Sequence, residues 1–329
     1  MSSALIYGGG CIGAVSAYLL SQKLSPERIA LICRSNYKEI KENGITINSG
    51  LWGSQLNVRP AVFQSVDAAV AEQGSTYDYV FITTKAQSKE DTDTEAVAPA
   101  ISSTTAIVLM QNGVGIEDPW HARFPSNPII SVVMYLPVTQ TQPGVFSHAL
   151  YHVFQMGTFP HNAPEQHQLM ARNLSDILSL SGAQATVFDD VQPCRWRKML
   201  VNGSENPICA IVQLPDVAFF QSNPGATQFT HDVMVEIASV ARAAGYPTIT
   251  DQVVQEQLDV MTGRPFPGVE PSMMADAMAG RQMEADAILG NVVRIGSQYG
   301  VETPRLSTLY YLIQGLNYRH KHGAPSIRR

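Results

Sequence analysis

Three glycines near the start of the chain constrain its fold more than any other feature. Gly8, Gly10 and Gly13 form the pattern Gly-x-Gly-x-x-Gly directly after a short apolar run at residues 4–7. A strand, a glycine turn and the first turn of a helix follow one another in this order at dinucleotide-binding sites, where the backbone must approach a pyrophosphate closely. The start of such a helix also presents N–H groups to the phosphates. Because glycine turns are common, an ordinary turn between a strand and a helix remains the alternative.

The chain after the glycines continues as one βαβ unit. Residues 14–20 carry apolar side chains at helical spacing, and residues 28–33 form a compact β-type run, so the unit has about the 30 residues expected. An NAD site usually offers Asp or Glu to the ribose hydroxyls at the end of the second strand, but this chain has Arg34, followed by Ser35 and Lys38. A cation and a hydroxyl suit a 2′-phosphate, which favours NADP(H) over NAD. The alternative is that Arg34 is simply exposed at a strand end.

The composition excludes several classes of partner. The 329 residues suffice for two domains of ordinary size. The 22 basic and 28 acidic residues give a formal net charge of −6 without long runs of either sign, so we expect no nucleic-acid partner. No apolar stretch reaches the roughly 20 residues of a membrane span, and the first strand begins too early for a signal peptide. These features predict a cytoplasmic protein.

The cysteines and histidines give no sign of a metal site or a disulfide framework. Cys11, Cys33, Cys194 and Cys209 are scattered without Cys-x-x-Cys spacing, which is typical of thiols in a reducing compartment. The eight histidines are dispersed as well. We therefore expect no bound metal.

The pattern of predicted elements changes near residue 190. Before it, strands alternate with helices, which indicates an α/β domain with a parallel sheet and an antiparallel edge. The predicted strands cover residues 77–84, 105–110 and 129–135, with an antiparallel piece at 144–157, and the helices cover 65–72 and 166–181. After residue 190 only helical patterns occur, at 194–212, 225–244, 251–261 and 282–299, with a last helix from Pro304. The sequence thus predicts a Rossmann-type dinucleotide-binding domain at 1–190 and an all-helical domain at 191–329.

Two polar residues follow predicted strands of the first domain. Lys85 comes after the strand at 77–84, and Asn112 comes after the strand at 105–110. Cofactors lie at the carboxyl ends of parallel strands, so we expect both side chains to face a cleft. There Lys85 would meet phosphate or ribose, and Asn112 would bond a ribose or a substrate. Since Asn-Gly favours left-handed backbone, a plain turn at Asn112-Gly113 is the alternative.

A row of polar side chains follows the start of the second domain. Lys198, Asn202 and Asn206 are spaced four residues apart, which places them on one face of a continuous helix. Unpartnered polar groups are costly inside a protein, so this row on an otherwise apolar helix predicts a binding function. A solvated helix face is the alternative.

Six motifs together resemble the ketopantoate reductase (2-dehydropantoate 2-reductase) family, and they occur in the family's order across nearly the whole chain. They are the glycine pattern, Arg34 after the second strand, Thr84-Lys85-Ala86, Gln111-Asn112-Gly113-Val114-Gly115, Trp196-Arg197-Lys198 with Asn202 and Asn206-Pro207, and Pro271-Ser272-Met273-Met274-Ala275-Asp276 with Glu284-Ala285-Asp286. The resemblance implies a Rossmann domain and a helical domain like that of the 6-phosphogluconate dehydrogenase superfamily. It implies NADPH-dependent reduction of a 2-keto acid to a 2-hydroxy acid, in pantothenate biosynthesis, and leaves a homodimer open.

The resemblance also assigns roles to individual residues. Lys198 matches the family's general acid, and Glu284 matches the acidic residue near the nicotinamide and the substrate. A positioned ammonium stabilises the negative charge that develops on the keto oxygen and then supplies the proton, which agrees with this role. The implied substrate contacts are Asn112, Asn202, Asn206 and Ser272. The predicted cofactor contacts are Gly8, Gly9, Gly10, Cys11, Ile12, Gly13, Arg34, Lys85 and Asn112.

Two positions depart from the family pattern. The family often has asparagines shortly after the lysine helix and just before Ser272, where this chain has Asp216 and Val269. An acidic side chain near a substrate carboxylate is unfavourable unless it points away or the substrate differs. The expected substrate is therefore ketopantoate or a related 2-keto acid. The alternatives are a reductase of specialised metabolism with another oxo or imino substrate, and a non-catalytic NADP-binding sensor, against which the presence of Lys198 and Glu284 argues.

Overall fold

The chain divides into two units in the computed structural model, which describes residues 2–74, 76–86 and 93–323. The first unit holds most of the chain up to Val191. The second holds the chain from Gln192 onwards, together with Ala86 and the short segment Asn112–Gly115. Each unit has its own apolar core of buried side chains.

The first unit is built on an eight-stranded sheet. Within the described residues, the strands of the whole unit, which form this sheet and a smaller one, are in chain order β1 Ala4–Tyr7, β2 Ile29–Ile32, β3 Ile45–Ser49, β4 Gly53–Val58, β5 Ala61–Phe63, β6 Tyr79–Ile82, β7 Ala106–Leu109, β8 Ile129–Tyr135, β9 Val138–Gln142, β10 Val145–His148, β11 Val153–Thr158 and β12 Gln184–Val187. The large sheet has the order β12-β11-β8-β7-β6-β1-β2-β5. The strands from β8 to β5 are parallel, and β11 runs antiparallel to β8. The predicted α/β fold with a parallel sheet and an antiparallel edge is confirmed.

The burial of the central strands explains why their apolar pattern was easy to recognise in the sequence. Every residue of β1, β6 and β7 is buried, because both faces of a parallel sheet are covered, and such strands are continuous apolar runs. Helices α1 and α6 contribute buried side chains to the same core as these strands. The helices of this unit are α1 Cys11–Ser21, α2 Tyr37–Asn43, α3 Val66–Gln73, α4 Thr94–Val97, α5 Asp118–Arg123 and α6 Glu165–Leu180, with 3₁₀ turns at Pro26–Arg28 and Ala98–Ala100.

A second, four-stranded sheet was not predicted. Its order is β4-β3-β10-β9, with β10 parallel to β3 and antiparallel to β9. The antiparallel piece predicted at 144–157 consists of two strands, each with an antiparallel neighbour, but β10 belongs to this small sheet whereas β11 joins the large one. Strands β4 and β9 are mostly polar and partly or fully exposed. They therefore lack the alternation of apolar and polar residues from which a strand is predicted.

The second unit contains helices and, among its described residues, no strand. The helices are α7 Gln192–Asn202, α8 Glu205–Val212, α9 Asp216–Ser222, α10 Ala226–Ala243, α11 Asp251–Thr262, α12 Ser272–Met278, α13 Asn291–Gln298 and α14 Pro304–His322, with a π-helical turn at Asp286–Gly290 before α13. The predicted helices that correspond to α10, α11 and α14 are confirmed. Across the part of the chain that the structure describes, no helix has the length and apolar character needed to cross a membrane.

The predicted continuous helix at 194–212 was wrong, because the chain breaks between α7 and α8. The Ser204 hydroxyl donates a hydrogen bond to the Leu200 carbonyl, and such back-bonding bends helices. A Cβ at Gly203 would lie 2.8 Å from Cδ1 of Ile237 on α10, so the glycine permits a close approach of two helices. The break separates the helix that carries Lys198 from the helix that carries Asn206.

The predicted helix at 282–299 also begins later than expected. Residues 282–284 are not helical. The Asn317 side chain of α14 accepts a hydrogen bond from the Met283 N–H at 2.8 Å and donates one to the Met283 carbonyl at 3.0 Å. These contacts satisfy the backbone of Met283 without a helix.

Candidate functional site

The glycine turn of the first unit has the geometry that a dinucleotide phosphate requires. Gly8 has a φ of +124°, which only glycine adopts readily, and a Cβ at Gly13 would collide with the Gly8 carbonyl oxygen. Among the residues that the structure describes, no atom beyond the adjacent residues lies within 4 Å of a Cβ built at Gly10, and no side chain caps the start of α1. The pyrophosphate of a dinucleotide fits this arrangement.

Arg34 lies beside the glycine turn, at the end of β2. Its Nη2 donates a hydrogen bond of 2.9 Å to the hydroxyl oxygen of Tyr7, the last residue of β1. Nearby, Nδ2 of the buried Asn36 donates to the Gly9 carbonyl at 2.9 Å. Burial and the Asp93 carboxylate raise the pKa of Tyr7 despite the opposing effect of Arg34, so its hydroxyl stays protonated. The structure thus places Arg34 near the glycine turn, and its assignment to a 2′-phosphate stays a prediction.

Lys85 is exposed in the first unit, beyond the end of β6. The preceding carbonyl, that of Thr84, accepts a hydrogen bond of 3.0 Å from Nε2 of Gln111. This bond ties the segments that follow β6 and β7. The assignment of Lys85 to phosphate or ribose stays a prediction.

Lys198 and Asn112 form the centre of the candidate site in the second unit. Nζ of Lys198, on α7, donates a hydrogen bond of 2.8 Å to Oδ1 of Asn112. Burial and the neighbouring Arg195 guanidinium lower the pKa of Lys198 to about 7, although the Glu284 carboxylate opposes this effect. A lysine with a pKa in this range exchanges its proton readily at neutral pH.

Backbone contacts hold the segment that carries Asn112. Gly113 has a φ of +105°, and a Cβ there would collide with the Ala287 carbonyl oxygen. The same carbonyl accepts the Val114 N–H at 3.3 Å, and Nδ2 of Asn291 donates to the Val114 carbonyl at 2.6 Å. The plain-turn interpretation of Asn112-Gly113 is therefore incomplete, because hydrogen bonds connect this segment to the π-helical turn and to α13.

The π-helical turn leaves the Ala287 carbonyl free of an α-helical hydrogen bond from Asn291, so that it can accept the Val114 N–H. The Asn291 N–H donates to the Asp286 carbonyl five residues back. In an α-helix it would donate to the Ala287 carbonyl four residues back. The Ala287 carbonyl is instead paired with Val114.

Arg195 is the site residue that sequence reasoning missed. It is only 3% exposed, and its Nη1 donates a hydrogen bond of 2.9 Å to the Gly113 carbonyl. It lies one helical turn before Lys198 on α7. Arg195 therefore both supports the Asn112-Gly113 turn and places a positive charge beside the lysine.

Glu284 completes the charged groups around Lys198. Its Oε1 accepts a hydrogen bond of 3.0 Å from the Ala86 N–H, and its carboxylate acts electrostatically on Lys198. The structure thus brings together Lys198, Asn112 and Glu284. In the part of the chain that the structure describes, no group of three or more His, Cys, Asp or Glu side chains is arranged to hold a metal ion.

The other predicted substrate residues occupy three different elements. Asn202 is the last residue of α7 and is partly buried, whereas Asn206 is buried in α8 and 5% exposed. The predicted single stripe of Lys198, Asn202 and Asn206 was wrong, since the break at Gly203 and Ser204 ends the helix between them. Ser272 is exposed at the first position of α12.

Asp216 points into the second unit. It is 1% exposed and accepts hydrogen bonds from the Val217 N–H at 2.8 Å and the Val269 N–H at 2.7 Å. It also forms an ion pair with Arg264, which pairs with Glu205 at 2.9 Å as well. The departure from the family pattern is thus compensated within the protein, because a cation and two backbone N–H groups neutralise and satisfy the carboxylate.

Asp216→Asn should therefore destabilise the protein instead of improving substrate binding. The Val217 and Val269 N–H groups share Oδ1 of Asp216, and an asparagine oxygen can keep both bonds. The amide NH2 group then replaces the oxygen that pairs with Arg264, which leaves the guanidinium with one carboxylate and a donor facing it. We expect a loss of about 1–3 kcal/mol in the free energy of unfolding, less than for a wholly buried pair because Arg264 is partly exposed. Urea denaturation would measure it, with Asp259→Asn on exposed α11 as the control. An unchanged free energy of unfolding would contradict the assigned role.

The parallel sheet with its glycine turn and the all-helical second unit define a class of protein, the nicotinamide-dependent oxidoreductases. The family model described as ketopantoate reductase PanE/ApbA matches residues 4–161, and its C-terminal counterpart matches residues 190–317. The chain belongs to the ketopantoate reductase family.

Individual relatives agree with this family. An uncharacterized protein of Saccharomyces cerevisiae, YDL144C, is 30% identical over 95% of this chain and 93% of its own length. A 2-dehydropantoate 2-reductase of Mesorhizobium japonicum is 27% identical over 94% of this chain and 96% of its own length. The crystal structure of 2-dehydropantoate 2-reductase from Methylococcus capsulatus has a TM-score of 0.83 at 29% identity and covers 97% of both chains.

A further structural neighbour has the same fold at lower sequence identity. The ternary structure of D-mandelate dehydrogenase with NADH and anilino(oxo)acetate has a TM-score of 0.81 at 23% identity, covering 97% of this chain and 99% of that one.

Proposed function

We propose that the protein is an NADPH-dependent reductase of ketopantoate or a related 2-keto acid, with Lys198 as the general acid. The observation that carries this proposal is the pairing of Lys198 with Asn112 at 2.8 Å, together with a Lys198 pKa of about 7. The buried Arg195 guanidinium makes the charged form of Lys198 less favourable, and such a perturbed lysine is more typical of a functional site than of a structural ion pair.

The charges around Lys198 suit a 2-keto acid. When Lys198 is protonated, it and Arg195 supply two positive charges against the single negative charge of Glu284, so an anionic substrate is attracted. A nicotinamide cofactor, when bound, would supply the hydride that reduces the keto carbon. Lys198 stabilises the negative charge that develops on the keto oxygen and donates a proton to it, while Asn112 fixes the direction of the ammonium.

The remaining sequence predictions belong to the same proposal. The domain at 1–190 would bind NADP(H) through residues 8–13 and Arg34, with Lys85 near phosphate or ribose. The domain at 191–329 would bind the substrate through Asn202, Asn206 and Ser272. A cytoplasmic role in pantothenate biosynthesis agrees with the family. A homodimer is supported by a structural neighbour from Staphylococcus aureus described as a dimeric ketopantoate reductase.

A panel of 2-keto acids in an NADPH-oxidation assay tests the proposal. We expect kcat/KM for ketopantoate to exceed that for pyruvate by about 10-fold or more, since each well-placed apolar group adds roughly 1–3 kcal/mol. Benzoylformate, the keto acid related to mandelate, belongs in the panel. Equal kcat/KM for ketopantoate and pyruvate would favour the reductase of specialised metabolism. NADPH binding without turnover of any oxo or imino compound would favour the sensor.

The pH dependence of the reaction gives a separate prediction. A general acid must carry its proton, so the reduction rate should fall as the pH rises through the Lys198 pKa of about 7. Arg195→Gln removes the adjacent positive charge while keeping an N–H donor for Gly113, and should raise the Lys198 pKa. The falling limb should then move to higher pH in a kcat profile. Arg197→Gln, which removes an exposed charge paired with Glu256, serves as the control and should leave the limb in place.

A further inference from the structure

Arg264 is held between two buried carboxylates of the second unit. It lies in the segment between α11 and α12, and its Nη1 pairs with Glu205 at 2.9 Å and with Asp216. The carboxylate side chains are 4% and 1% exposed, whereas that of Arg264 is 25% exposed. The carboxylates therefore fix one corner of a guanidinium that remains accessible elsewhere.

The accessible part of Arg264 is a donor edge. Among the residues that the structure describes, its hydrogen bonds all pass through Nη1, and Nε and Nη2 donate to no protein group. These two nitrogens lie side by side in the planar guanidinium and can donate two parallel hydrogen bonds. A side chain fixed at one corner keeps this edge in a single direction and loses little entropy on binding.

Two candidate site residues adjoin the cluster of Arg264, Glu205 and Asp216 along the chain. Glu205 immediately precedes Asn206 on α8, and the segment that contains Arg264 leads into Ser272 at the start of α12. The carboxylate of a 2-keto acid is bonded directly to its keto carbon and must stay near Lys198. The edge of Arg264 is therefore suited to the other end of the substrate.

The charge balance of the cluster decides which group it accepts. Burial and the Asp216 carboxylate raise the pKa of Glu205 to about 7, although Arg264 opposes this effect. The three side chains then carry a net charge between zero and −1. A second carboxylate on the substrate would be repelled by Asp216 and Glu205, whereas a neutral oxygen would not.

We propose that Arg264 determines substrate specificity by donating hydrogen bonds from its Nε–Nη2 edge to a neutral oxygen, such as a hydroxyl, at the end of the 2-keto acid remote from the keto group. This inference rests on the proposed reductase function. It adds a requirement that the reaction itself does not impose, namely a hydroxyl at the far end of the substrate.

Two substrates that differ only in that hydroxyl test the proposal. Ketopantoate carries it, and 3,3-dimethyl-2-oxobutanoate has hydrogen in its place. The unmodified enzyme should have a kcat/KM about 10- to 100-fold higher for ketopantoate. Arg264→Lys keeps a positive charge between the carboxylates but has no planar edge, and should reduce the ratio to about threefold or less. Its kcat/KM for 3,3-dimethyl-2-oxobutanoate should change little.

Arg305→Lys is the matched control. Arg305 also pairs with two carboxylates, Asp232 at 2.7 Å and Glu236 at 3.2 Å, in the same unit. It should leave the substrate ratio unchanged, and thermal melting would show that both variants are folded. If Arg264→Lys does not fold, Arg264→Gln, which provides a single amide donor, replaces it.

The outcomes separate this inference from the proposed function. Turnover of both acids with equal kcat/KM by the unmodified enzyme, or an unchanged ratio in folded Arg264→Lys, overturns the specificity role and leaves the reductase function intact. Oxidation of NADPH by neither acid overturns the reductase function and the inference with it. A preference for 2-oxoglutarate over ketopantoate overturns the assignment of a neutral oxygen. A ratio that collapses in Arg264→Lys alone supports the proposal.

Discussion

Replacing Lys198 with alanine is expected to lower kcat for ketopantoate reduction by about 100-fold or more, the usual scale for removing a positioned general acid. The substitution removes the group that we propose stabilises the developing charge on the keto oxygen and supplies its proton. The glycine turn and Arg34 are untouched, so the dissociation constant of NADPH should remain nearly the same. Steady-state kinetics and a fluorescence titration with NADPH would measure the two quantities.

Asn202→Ala provides the contrast for this result. A residue that holds the substrate equally in the ground state and the transition state should act mainly through KM. We therefore expect Asn202→Ala to raise KM with a small change in kcat, whereas Lys198→Ala should mainly lower kcat. A normal turnover rate in Lys198→Ala would show that another group donates the proton.

The second large effect concerns the choice of cofactor. Arg34→Ala should remove most of the preference for NADPH over NADH, which we expect to be about 1.5–3 kcal/mol for a charge-assisted contact with the 2′-phosphate. Dissociation constants of both cofactors would measure it in the two proteins. Tyr7→Phe should cause a smaller loss, because it removes the hydrogen bond that holds Arg34 in place.

Arg59→Ala is the matched control for cofactor choice. Arg59 belongs to the same unit and donates to the Glu42 carbonyl at 3.0 Å. Removing it should leave both dissociation constants unchanged. Equal affinities for NADPH and NADH in the unmodified protein would refute the assignment of Arg34.

The sequence predicted those parts of the molecule that are determined locally. Central strands such as β6 and β7 are continuous apolar runs, and the glycine turn has a spacing imposed by its own backbone. The break after α7 was missed because it depends on the close approach of α10 to Gly203. A helical pattern shows which side chains lie on one face, but not which partner that face will meet.

The candidate site shows the same limit. Arg195 and Arg197 are the same residue type two positions apart, yet one is 3% exposed and bonds the Gly113 carbonyl while the other pairs with Glu256 at the surface. The carbonyl that receives Arg195 is distant in sequence, so no local pattern reveals it. Asp216 was similarly ambiguous, because its partner Arg264 is 48 residues away.

The π-helical turn at Asp286–Gly290 fixes the length of the chain between Glu284 and α13. Because Asn291 bonds five residues back, this turn contains one residue more than an α-helical turn with the same ends. A single-residue deletion here would restore regular α-helical winding between the same ends. It would also return the Ala287 carbonyl to the helix and release Val114. The attachment of the segment that carries Asn112 therefore depends on one extra residue in this turn, and homologues that lack it would have to hold that segment by another contact.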